Sequence, residues 1–320
     1  MIKTGVIGIG HLGLIHLKLL NESIYFNVIG CHDSNFESKN KLGEKITFFE
    51  DINELILKCD AVFICSTTPS HFEIAKNCLE RNKHVFIEKP ITTSVEEAKI
   101  LIKLSEEKKI IGQVGHVERF NPAIASVIGI IDTPKFIECH RLAEFNPRGN
   151  DVSVVLDLMI HDIDIVLKLV NCEVKNVNAN GVCVISDTPD ITNARVEFSN
   201  GCIANFTASR ISLKNMRKSR FFQKDAYIAV DFFEKKSEVV KISNFQGDDN
   251  YAMLIENAEG VKKQIHYTNP ETKSINAIEE EHNDFANSIL NNISPQVSFR
   301  DGLKALELAT LIIKKVNDNN

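Results

Sequence analysis

The chain has 320 residues, a length that predicts two domains because a typical domain has about 150 residues. Hydrophobic residues make up 43% and charged residues 25% of the chain, which excludes a disordered, collagen-like or coiled-coil protein. The formal net charge of -6 argues against a broad electrostatic attraction to nucleic acid or acidic membranes. We therefore expect an enzyme-like protein whose partner is a small molecule, with no nucleic-acid or membrane partner.

The cysteines are spaced too widely for a zinc ribbon, since the closest two, Cys59 and Cys65, form no C-x-x-C pair. We expect no metal site. Each cysteine lies in an apolar neighbourhood, which is typical of reduced, buried thiols and indicates the cytoplasm. No apolar run approaches the roughly 18 residues of a membrane span, and a first strand that begins at Lys3 leaves no room for a signal peptide. We expect a protein that is neither exported nor anchored.

The first 121 residues alternate short apolar runs with longer amphipathic segments, the pattern of βαβ units around a parallel sheet. The run Ala61–Cys65 is apolar throughout, as expected of a strand covered on both faces. The predicted strands are 3–7, 27–32, 61–65, 84–87 and 110–114, and the predicted helices are 12–20, 71–81 and 94–108. Residues 1–121 are therefore predicted to form an α/β Rossmann domain with a doubly wound parallel sheet.

After Pro122 the pattern changes to longer alternating segments, which favour antiparallel strands. The predicted strands are 194–198, 203–207, 227–233, 239–243, 252–256 and 262–267, and the predicted helices are 153–170, 275–291 and 301–316. Asn200-Gly201 predicts a hairpin between the first two strands, because both positions tolerate positive φ. We expect residues 122–320 to form an α+β domain with a large, mainly antiparallel open sheet. The C-terminal helix, 301–317, is expected to pack back on the first domain.

The first predicted strand leads directly into Gly8-Ile9-Gly10-His11-Leu12-Gly13, which opens a helix. In this G-x-G-x-x-G pattern, Gly8 permits a tight turn, Gly10 lets the backbone approach a pyrophosphate, and Gly13 allows close helix–sheet packing. The helix N-terminus offers unpaired N–H groups to the anion. Asp33 ends the second predicted strand, where a carboxylate accepts hydrogen bonds from ribose hydroxyls and repels a 2′-phosphate. The sequence therefore predicts NAD as the cofactor and disfavours NADP.

A purely structural explanation is also open for these segments. The glycines could form only a strand-to-helix turn, and Asp33 could only cap a loop. Ser66-Thr67-Thr68-Pro69 follows the third predicted strand, at the sheet edge where ligands bind in such folds, but it could equally cap the next helix.

Three features in chain order resemble one known family. The predicted Rossmann domain is followed by Glu88-Lys89-Pro90 and then by Asp157-Leu-Met-Ile-His161-Asp162-Ile-Asp164, a series similar to that of the Gfo/Idh/MocA oxidoreductases. This resemblance implies a dehydrogenase that oxidises a secondary hydroxyl with NAD, and a homodimer or homotetramer formed through the open sheet. The expected cofactor-binding residues are Gly8, Ile9, Gly10, His11, Leu12, Gly13, Asp33, Ser66, Thr67, Thr68, Pro69, His71, Glu88 and Lys89.

Further segments resemble one branch of that family. They are Gly115–Pro122, Ala208–Ser212 and Met216–Lys218, which look like the branch that contains UDP-N-acetylglucosamine 3-dehydrogenases. The resemblance implies that the substrate is a nucleotide sugar. The expected reaction is oxidation of the 3-hydroxyl of a UDP-N-acetylhexosamine to a 3-keto nucleotide sugar.

The resemblance also implies catalytic roles for Lys89, His161 and Asp157. An ammonium at Lys89 would orient the substrate oxygen and stabilise the developing alkoxide, and the Lys89-Pro90 bond is a candidate for the cis form. His161 is the candidate general base, because the ordinary pKa of an imidazole is near neutrality. Asp157, four residues earlier, would orient it or bind a sugar hydroxyl. Asp162 and Asp164 are expected to cap, pair or line the edge of the site. The structural alternatives are a turn lysine, a core histidine and a helix-terminal acid.

The segment 210–220 carries five positive charges and no acid. A sugar diphosphate carries about two negative charges and suits the bidentate geometry of arginine, so the segment predicts an anion site; a solvated turn is the alternative. His116, Arg119 and Asn121 stand where the two predicted domains meet. The expected substrate-binding residues are His116, Arg119, Asn121, Arg210, Lys214, Arg217 and Lys218.

Two other functions are compatible with the sequence. One is the same chemistry on a free sugar, an inositol or a uronate derivative, although the basic segment argues against a small neutral substrate. The other is a non-catalytic NAD-binding regulator, since one fold hosts unrelated functions. The joint presence of Lys89, Asp157 and His161 argues against the regulator.

Overall fold

A computed structural model describes residues 1–43, 46–146, 152–245, 253–256, 258 and 260–319. The chain divides into two compact units. The first unit contains Met1–Arg119 and Asn276–Glu307, and the second contains Phe120–Ile275 and Leu308–Asn320.

The first unit is built on a parallel sheet. Its strands are β1 (Ile2–Ile7), β2 (Phe26–His32), β3 (Ala61–Ile64), β4 (His84–Glu88) and β5 (Gly112–Gly115). Within the described residues these five strands run in the order β2-β1-β3-β4-β5, with parallel pairing throughout. All four residues of β3 are buried, as its uninterrupted apolar run predicts.

Helices follow the strands of the first unit. They are α1 (His11–Glu22), α2 (Ile52–Lys58), α3 (Thr68–Glu80) and α4 (Val95–Lys108), and a 3-10 helix spans Phe36–Lys41. Helix α4 begins with a capping box, in which Ser94 accepts the N–H of Glu97 and the Glu97 carboxylate accepts the N–H of Ser94. Because strands and helices alternate, the carboxyl ends of β1, β3 and β4 meet at one edge of the sheet.

The second unit is built on a larger sheet. Its strands are β6 (Phe136–Leu142), β7 (Val174–Val182), β8 (Ile191–Phe198), β9 (Ile203–Ser209), β10 (Met216–Gln223), β11 (Ala226–Asp231), β12 (Lys236–Asn244), β13 (Met253–Glu256) and β14 (Lys262–Thr268). In the described part of the chain the nine strands run in the order β13-β14-β12-β11-β10-β6-β9-β8-β7. Only the β6–β9 pair is parallel among these strands. The predicted fold class is confirmed.

Two short helical segments and one longer helix accompany this sheet. Helix α5 spans Pro122–Ala125, a π-helical turn spans Val155–Met159, and α6 follows at Ile160–Val170. The sequence analysis predicted one regular helix over 153–170, so the π-helical turn is a correction. The predicted hairpin is confirmed, since β8 and β9 are antiparallel neighbours and Gly201 has a φ of +81°.

Two helices end the chain, α7 (Ala277–Asn291) and α8 (Phe299–Asn319). Helix α7 packs on α1, and residues 276–307 belong to the first unit. The sequence analysis assigned residues 122–320 to the second domain and expected the helix 301–317 to pack back on the first. The first part of α8, up to Glu307, also belongs to the first unit. In the described residues no helix has the length and apolar character needed to cross a membrane.

The sequence analysis missed three strands, β6, β7 and β10. Each mixes charged or amide side chains with apolar residues. The partners of β6 come from residues far along the chain, whereas β7 pairs with β8 and β10 also pairs with β11, the strands that follow them in sequence. The helix α2 was also missed. Of the predicted strand 252–256, Ala252 lies outside the described residues, and β13 begins at Met253.

Candidate active site

The turn between β1 and α1 has the shape that the glycine pattern predicts. Gly8 has a φ of +88°, and a Cβ there would collide with the Ser66 backbone. A Cβ on Gly13 would overlap the carbonyl oxygen of Gly8, so this glycine lets the helix lie directly against the turn. At Gly10, by contrast, a Cβ would meet nothing within 4 Å. The turn is therefore closed by protein on two sides and open at Gly10.

The open side of this turn is the N-terminus of α1. Gly10 is the N-cap of the helix and offers no side-chain cap to the first-turn N–H groups. Such an N-terminus attracts anions. His11 and Leu12 are exposed on the first turn, whereas Ile9 is buried. The turn fits a pyrophosphate.

Asp33 follows β2 and reaches the same turn. Its Oδ2 accepts the N–H of Ile9 at 2.8 Å, and its Oδ1 accepts the N–H of Asn35 at 2.8 Å. Each carboxylate oxygen keeps a second lone pair, so the group can still accept from a ribose hydroxyl. The two backbone contacts hold a negative charge beside the glycine turn.

The segment after β3 is held in place by a buried histidine. His71 on α3 directs Nε2 to the carbonyl oxygen of Ser66 at 3.0 Å and Nδ1 to that of Pro90 at 2.9 Å. Burial lowers the pKa of His71, although the two carbonyl groups and the charge of Glu88 act in the opposite direction. Thr67 is the N-cap of α3, with Thr68 and Pro69 in the first turn. The ring therefore lies between the end of β3 and the segment after β4, and in its neutral form it donates to one of the two carbonyl oxygens.

The Glu88-Lys89-Pro90 motif stands at the end of β4, and the Lys89-Pro90 bond is cis, as the sequence analysis anticipated. Glu88 is buried, and its Oε2 accepts the N–H of Lys89 at 3.1 Å. Its Oε1 accepts from Nε2 of His16 at 2.8 Å. Burial alone would raise the pKa of Glu88, but the hydrogen bond and charge of His16, with the charge of Lys89, hold it below its usual value.

His16 has a second partner that sequence reasoning missed. Its Nδ1 lies 2.7 Å from Nε2 of His282, which comes from α7. Burial and the nearby charge of His16 lower the pKa of His282 well below the ordinary value. The two residues are 266 positions apart, and no motif in the sequence links them.

The catalytic residues predicted in the second domain lie around the start of α6. Asp157 is exposed on the π-helical turn, and His161 is half-buried in the first turn of α6. Asp162 is buried and forms two contacts with Arg141 of β6, Nη2–Oδ1 at 2.8 Å and Nε–Oδ2 at 3.1 Å. Asp164 is buried as well. π-Helical turns are frequent at functional sites, because they break the regular helical ladder.

The two residues Arg119 and Asn121 are engaged inside their own units. Arg119 is buried, donates to the carbonyl oxygen of Gln296 at 3.2 Å and lies 3.6 Å from the Asp301 carboxylate. Asn121 caps α5 and donates to the carbonyl oxygen of Phe232 at 3.0 Å. These contacts favour structural roles for both. His116 is 1% exposed.

The second part of the basic segment, residues 216–220, lies in strand β10, and residues 210–215 form the connection before that strand. Lys218 and Arg220 alternate with buried Ser219 and Phe221 on β10, so the two cations lie on the opposite face of the sheet. Lys218 meets Asp231 at 3.0 Å across β11, and Arg220 meets Glu138 at 3.7 Å across β6.

The other cations of this segment differ in exposure. Arg210 is buried and donates to the carbonyl oxygen of Val152 at 2.6 Å. Lys214 is exposed in the loop before β10, and exposed Arg217 lies over the ring of Phe233 at 6.0 Å. Among the described residues, no group of three or more His, Cys, Asp or Glu side chains could hold a metal ion.

Comparison with known proteins agrees with this geometry. A family model described as an oxidoreductase family with an NAD-binding Rossmann fold matches residues 2–116, and the GFO/IDH/MocA C-terminal domain matches residues 132–228. The chain is 36% identical over 233 residues to UDP-N-acetylglucosamine 3-dehydrogenase of Acidithiobacillus ferrooxidans, which covers 72% of this chain and 74% of that protein. It is 28% identical to myo-inositol 2-dehydrogenase of Thermotoga maritima, over 58% of this chain and 60% of the relative.

Solved structures extend the likeness over nearly the whole chain. UDP-N-acetylglucosamine 3-dehydrogenase GnnA from A. ferrooxidans superimposes with a TM-score of 0.87 at 30% identity, covering 98% of this chain and 97% of that one. The myo-inositol 2-dehydrogenase from Lactobacillus plantarum, at 19% identity and a TM-score of 0.78, shares the fold; 100% of this chain and 98% of that one are covered. Fold and glycine turn thus define an NAD-binding Rossmann oxidoreductase. The chain belongs to the GFO/IDH/MocA oxidoreductase family.

Proposed function

We propose that the protein oxidises the 3-hydroxyl of a UDP-linked N-acetylhexosamine to a 3-keto nucleotide sugar, with NAD as the hydride acceptor. The observation that supports this substrate is the likeness to UDP-N-acetylglucosamine 3-dehydrogenase, which spans 98% of the chain in structure at a TM-score of 0.87. The 36% sequence identity over 72% of the chain points to the same substrate class.

The preference for NAD over NADP rests on Asp33. Its carboxylate lies beside the glycine turn and accepts the N–H of Ile9, which places an acceptor and a negative charge where the ribose would bind. Gly10 leaves the room that a pyrophosphate needs. The nicotinamide supplies the hydride acceptor when it is bound. The residues Ser66 to Pro69, with Glu88 and Lys89, complete the proposed cofactor site at the carboxyl ends of β3 and β4.

Lys89 and His161 are the proposed groups that handle the substrate proton. The Lys89 ammonium orients the substrate oxygen and stabilises negative charge as it develops there, and His161 accepts the hydroxyl proton. Asp157, on the π-helical turn before α6, orients His161 or binds a sugar hydroxyl. Three further residues, His116, Lys214 and Arg217, are candidate contacts for the rest of the substrate. Lys214 and Arg217 are exposed, and His116 is buried.

The experiment follows NADH absorbance with UDP-N-acetylglucosamine, UDP-N-acetylgalactosamine, free N-acetylglucosamine and myo-inositol as substrates. We expect turnover with the UDP sugars and a sharp loss of kcat, by about a hundredfold or more, in Lys89→Ala and in His161→Ala, with NAD binding intact. Lys103→Ala, at a side chain 78% exposed on α4, is the matched control. Unchanged turnover in both active-site variants would overturn the assignment of Lys89 and His161.

A second candidate is a dehydrogenase of a free polyol such as inositol. The likeness to myo-inositol 2-dehydrogenase at 28% identity favours it. Thermal denaturation with and without UDP separates the two candidates, because UDP stabilises only a protein that binds the nucleotide. Turnover with myo-inositol and no stabilisation by millimolar UDP would favour the polyol. No NAD reduction with any substrate would favour a non-catalytic NAD-binding regulator.

We further propose that the protein acts in the cytoplasm as a homodimer or homotetramer, formed through the outer face of the larger sheet. Phe136, Phe222 and Tyr227 form an aromatic row on that face, with ring centroids 5.8 Å and 5.0 Å apart. Light scattering of the wild type and of Phe222→Glu tests this. A monomeric wild type would contradict the proposal.

A further inference from the structure

A series of buried polar groups leads to the backbone of Lys89, and the proposed reaction gives no role to its two histidines. It runs from His282 on α7 to His16 on α1 and ends at Glu88, the last residue of β4. His282 is 2% exposed, His16 0% and Glu88 9%. All three belong to the first unit.

These groups are embedded among aromatic rings. The ring of His16 lies 5.4 Å from that of Phe86, and the ring of His282 lies 5.1 Å from that of Phe63. Phe285, one turn after His282 on α7, packs on the same rings at 5.5 Å from Phe63. An apolar side chain would fill such a place without the cost of desolvating a polar group. Packing alone therefore does not explain why histidines occupy these two positions.

The polar contacts converge on the Glu88 carboxylate, which joins the histidine pair to the backbone of Lys89. The Oε1 atom of Glu88 accepts from His16, and its Oε2 accepts the main-chain N–H of Lys89. Because a carboxylate is an acceptor only, Nε2 of His16 is the donor. The proton between His16 and His282 lies on either ring, and both arrangements leave Glu88 as the acceptor.

The neighbouring strand leaves room for this carboxylate. A Cβ on Gly115, at the end of β5, would come within 3.0 Å of the Glu88 carboxyl group. On the other side of Lys89, the carbonyl oxygen of Pro90 lies 2.9 Å from Nδ1 of His71. Buried side chains therefore contact the backbone on both sides of Lys89.

We propose that His16 and His282 are positioning residues for Lys89: they orient the Glu88 carboxylate, which in turn holds the Lys89 main-chain N–H. The use of Lys89 in catalysis rests on the proposed function. The orientation of its backbone is a separate property, which is measurable without any substrate.

The test is hydrogen exchange of the Lys89 amide, followed by NMR in protein labelled with 15N-lysine and assigned with Lys89→Arg. His282→Phe removes the partner of His16 while filling the space, and His282→Gln returns a hydrogen-bonding group. Phe285→Leu is the matched control, because it loosens the same aromatic cluster from the same helix without touching a polar contact. We expect His282→Phe to speed exchange of the Lys89 amide about tenfold over the control, and His282→Gln to stay within about threefold of the wild type.

Equal Lys89 exchange in His282→Phe and Phe285→Leu would overturn the proposal. If His282→Phe does not fold, Glu88→Gln decides, because an amide cannot accept from His16 and Lys89 with both of its terminal atoms. If the Lys89 amide exchanges at the wild-type rate in Glu88→Gln, that result would also overturn the proposal.

Activity gives the second readout. We expect kcat of His282→Phe to fall at least about tenfold while the KM for NAD is unchanged, and Phe285→Leu to keep its kcat. Faster exchange with an unchanged kcat would overturn the proposal, since the placement of Lys89 would then not matter for turnover. A wild type with no turnover on any substrate would contradict the proposed function alone, and the exchange result would still stand.

Discussion

Arg141 and Asp162 form a buried ion pair with two hydrogen bonds, and each side chain is only 3% exposed. The pair joins β6 to α6 inside the second unit. The guanidinium also lies over the ring of Phe232 at 5.9 Å. Because Asp162 directly follows His161, the pair fixes the first turn of α6, on which the proposed general base stands. The sequence analysis expected Asp162 to cap, pair or line the site, and pairing is what the structure has.

We expect Asp162→Asn to lower the free energy of unfolding by about 3–5 kcal/mol, because it leaves the Arg141 charge buried without its counter-charge. The double variant Arg141→Leu/Asp162→Leu removes both charges and should recover most of the loss. Urea denaturation measures both effects. A single variant as stable as the wild type, or a double variant less stable than the single one, would contradict the role of the pair.

The glycine turn gives a prediction from two neighbouring positions. Gly13→Ala should cost about 1–3 kcal/mol of stability, because its Cβ would overlap the Gly8 carbonyl oxygen. Gly10→Ala should change stability by less than about 0.5 kcal/mol, since its Cβ meets nothing within 4 Å. It should nevertheless weaken NAD binding at least about tenfold, because the added methyl occupies the space proposed for the pyrophosphate. Calorimetry and thermal denaturation measure the two quantities.

Gly129→Ala is the control for this pair, since a Cβ there also meets nothing within 4 Å and the position lies in the second unit. It should change neither stability nor NAD affinity. Unaltered NAD affinity in Gly10→Ala would place the pyrophosphate elsewhere.

The choice between NAD and NADP should depend on Asp33. Replacement by Ser removes the negative charge and keeps one hydroxyl acceptor for the N–H of Ile9. We expect the ratio of NADP to NAD affinity to rise by about tenfold to a hundredfold, because like charges placed together cost several kcal/mol. Titration calorimetry with each cofactor measures the ratio. Asp60→Ser is the control, because Asp60 accepts the N–H of Lys3 away from the turn. An unchanged ratio in Asp33→Ser would remove the basis for the NAD assignment.

The parts of this protein that the sequence predicted well depend on local pattern. The first unit repeats strand, turn and helix within short stretches, and the G-x-G-x-x-G spacing sets a backbone geometry that needs no distant partner. The hairpin at Gly201 is local in the same way. For these elements the residue types and their spacing contain the physical information.

The parts that it missed depend on distant residues. His16 and His282 are in contact although they lie on α1 and α7, and no pattern in the sequence around either residue predicts this contact. The cations of β10 look like a turn in the sequence because their carboxylate partners, Asp231 and Glu138, come from neighbouring strands. Only the sheet pairing brings these charges together.

The last prediction concerns acid stability. Burial is the main cause that lowers the pKa of His71 and that of His282, both of which lie in the first unit. The folded state therefore keeps these rings neutral at a pH where the unfolded chain, with its ordinary value of 6.5, has already taken up protons. Their contribution to stability is complete above about pH 6.5 and is lost as the pH falls below it. We expect the free energy of unfolding to decrease by up to about 1.4 kcal/mol per pH unit for each ring.

Thermal denaturation between about pH 7.5 and pH 5.5 measures this slope. His282→Gln carries no titrating ring at that position, so its slope should be smaller than that of the wild type by the share of one histidine. Return to the starting pH should restore the original Tm, which controls for irreversible loss. Identical slopes in the variant and the wild type would show that His282 takes up its proton equally well in the folded and unfolded chain, contrary to the lowering of its pKa by burial.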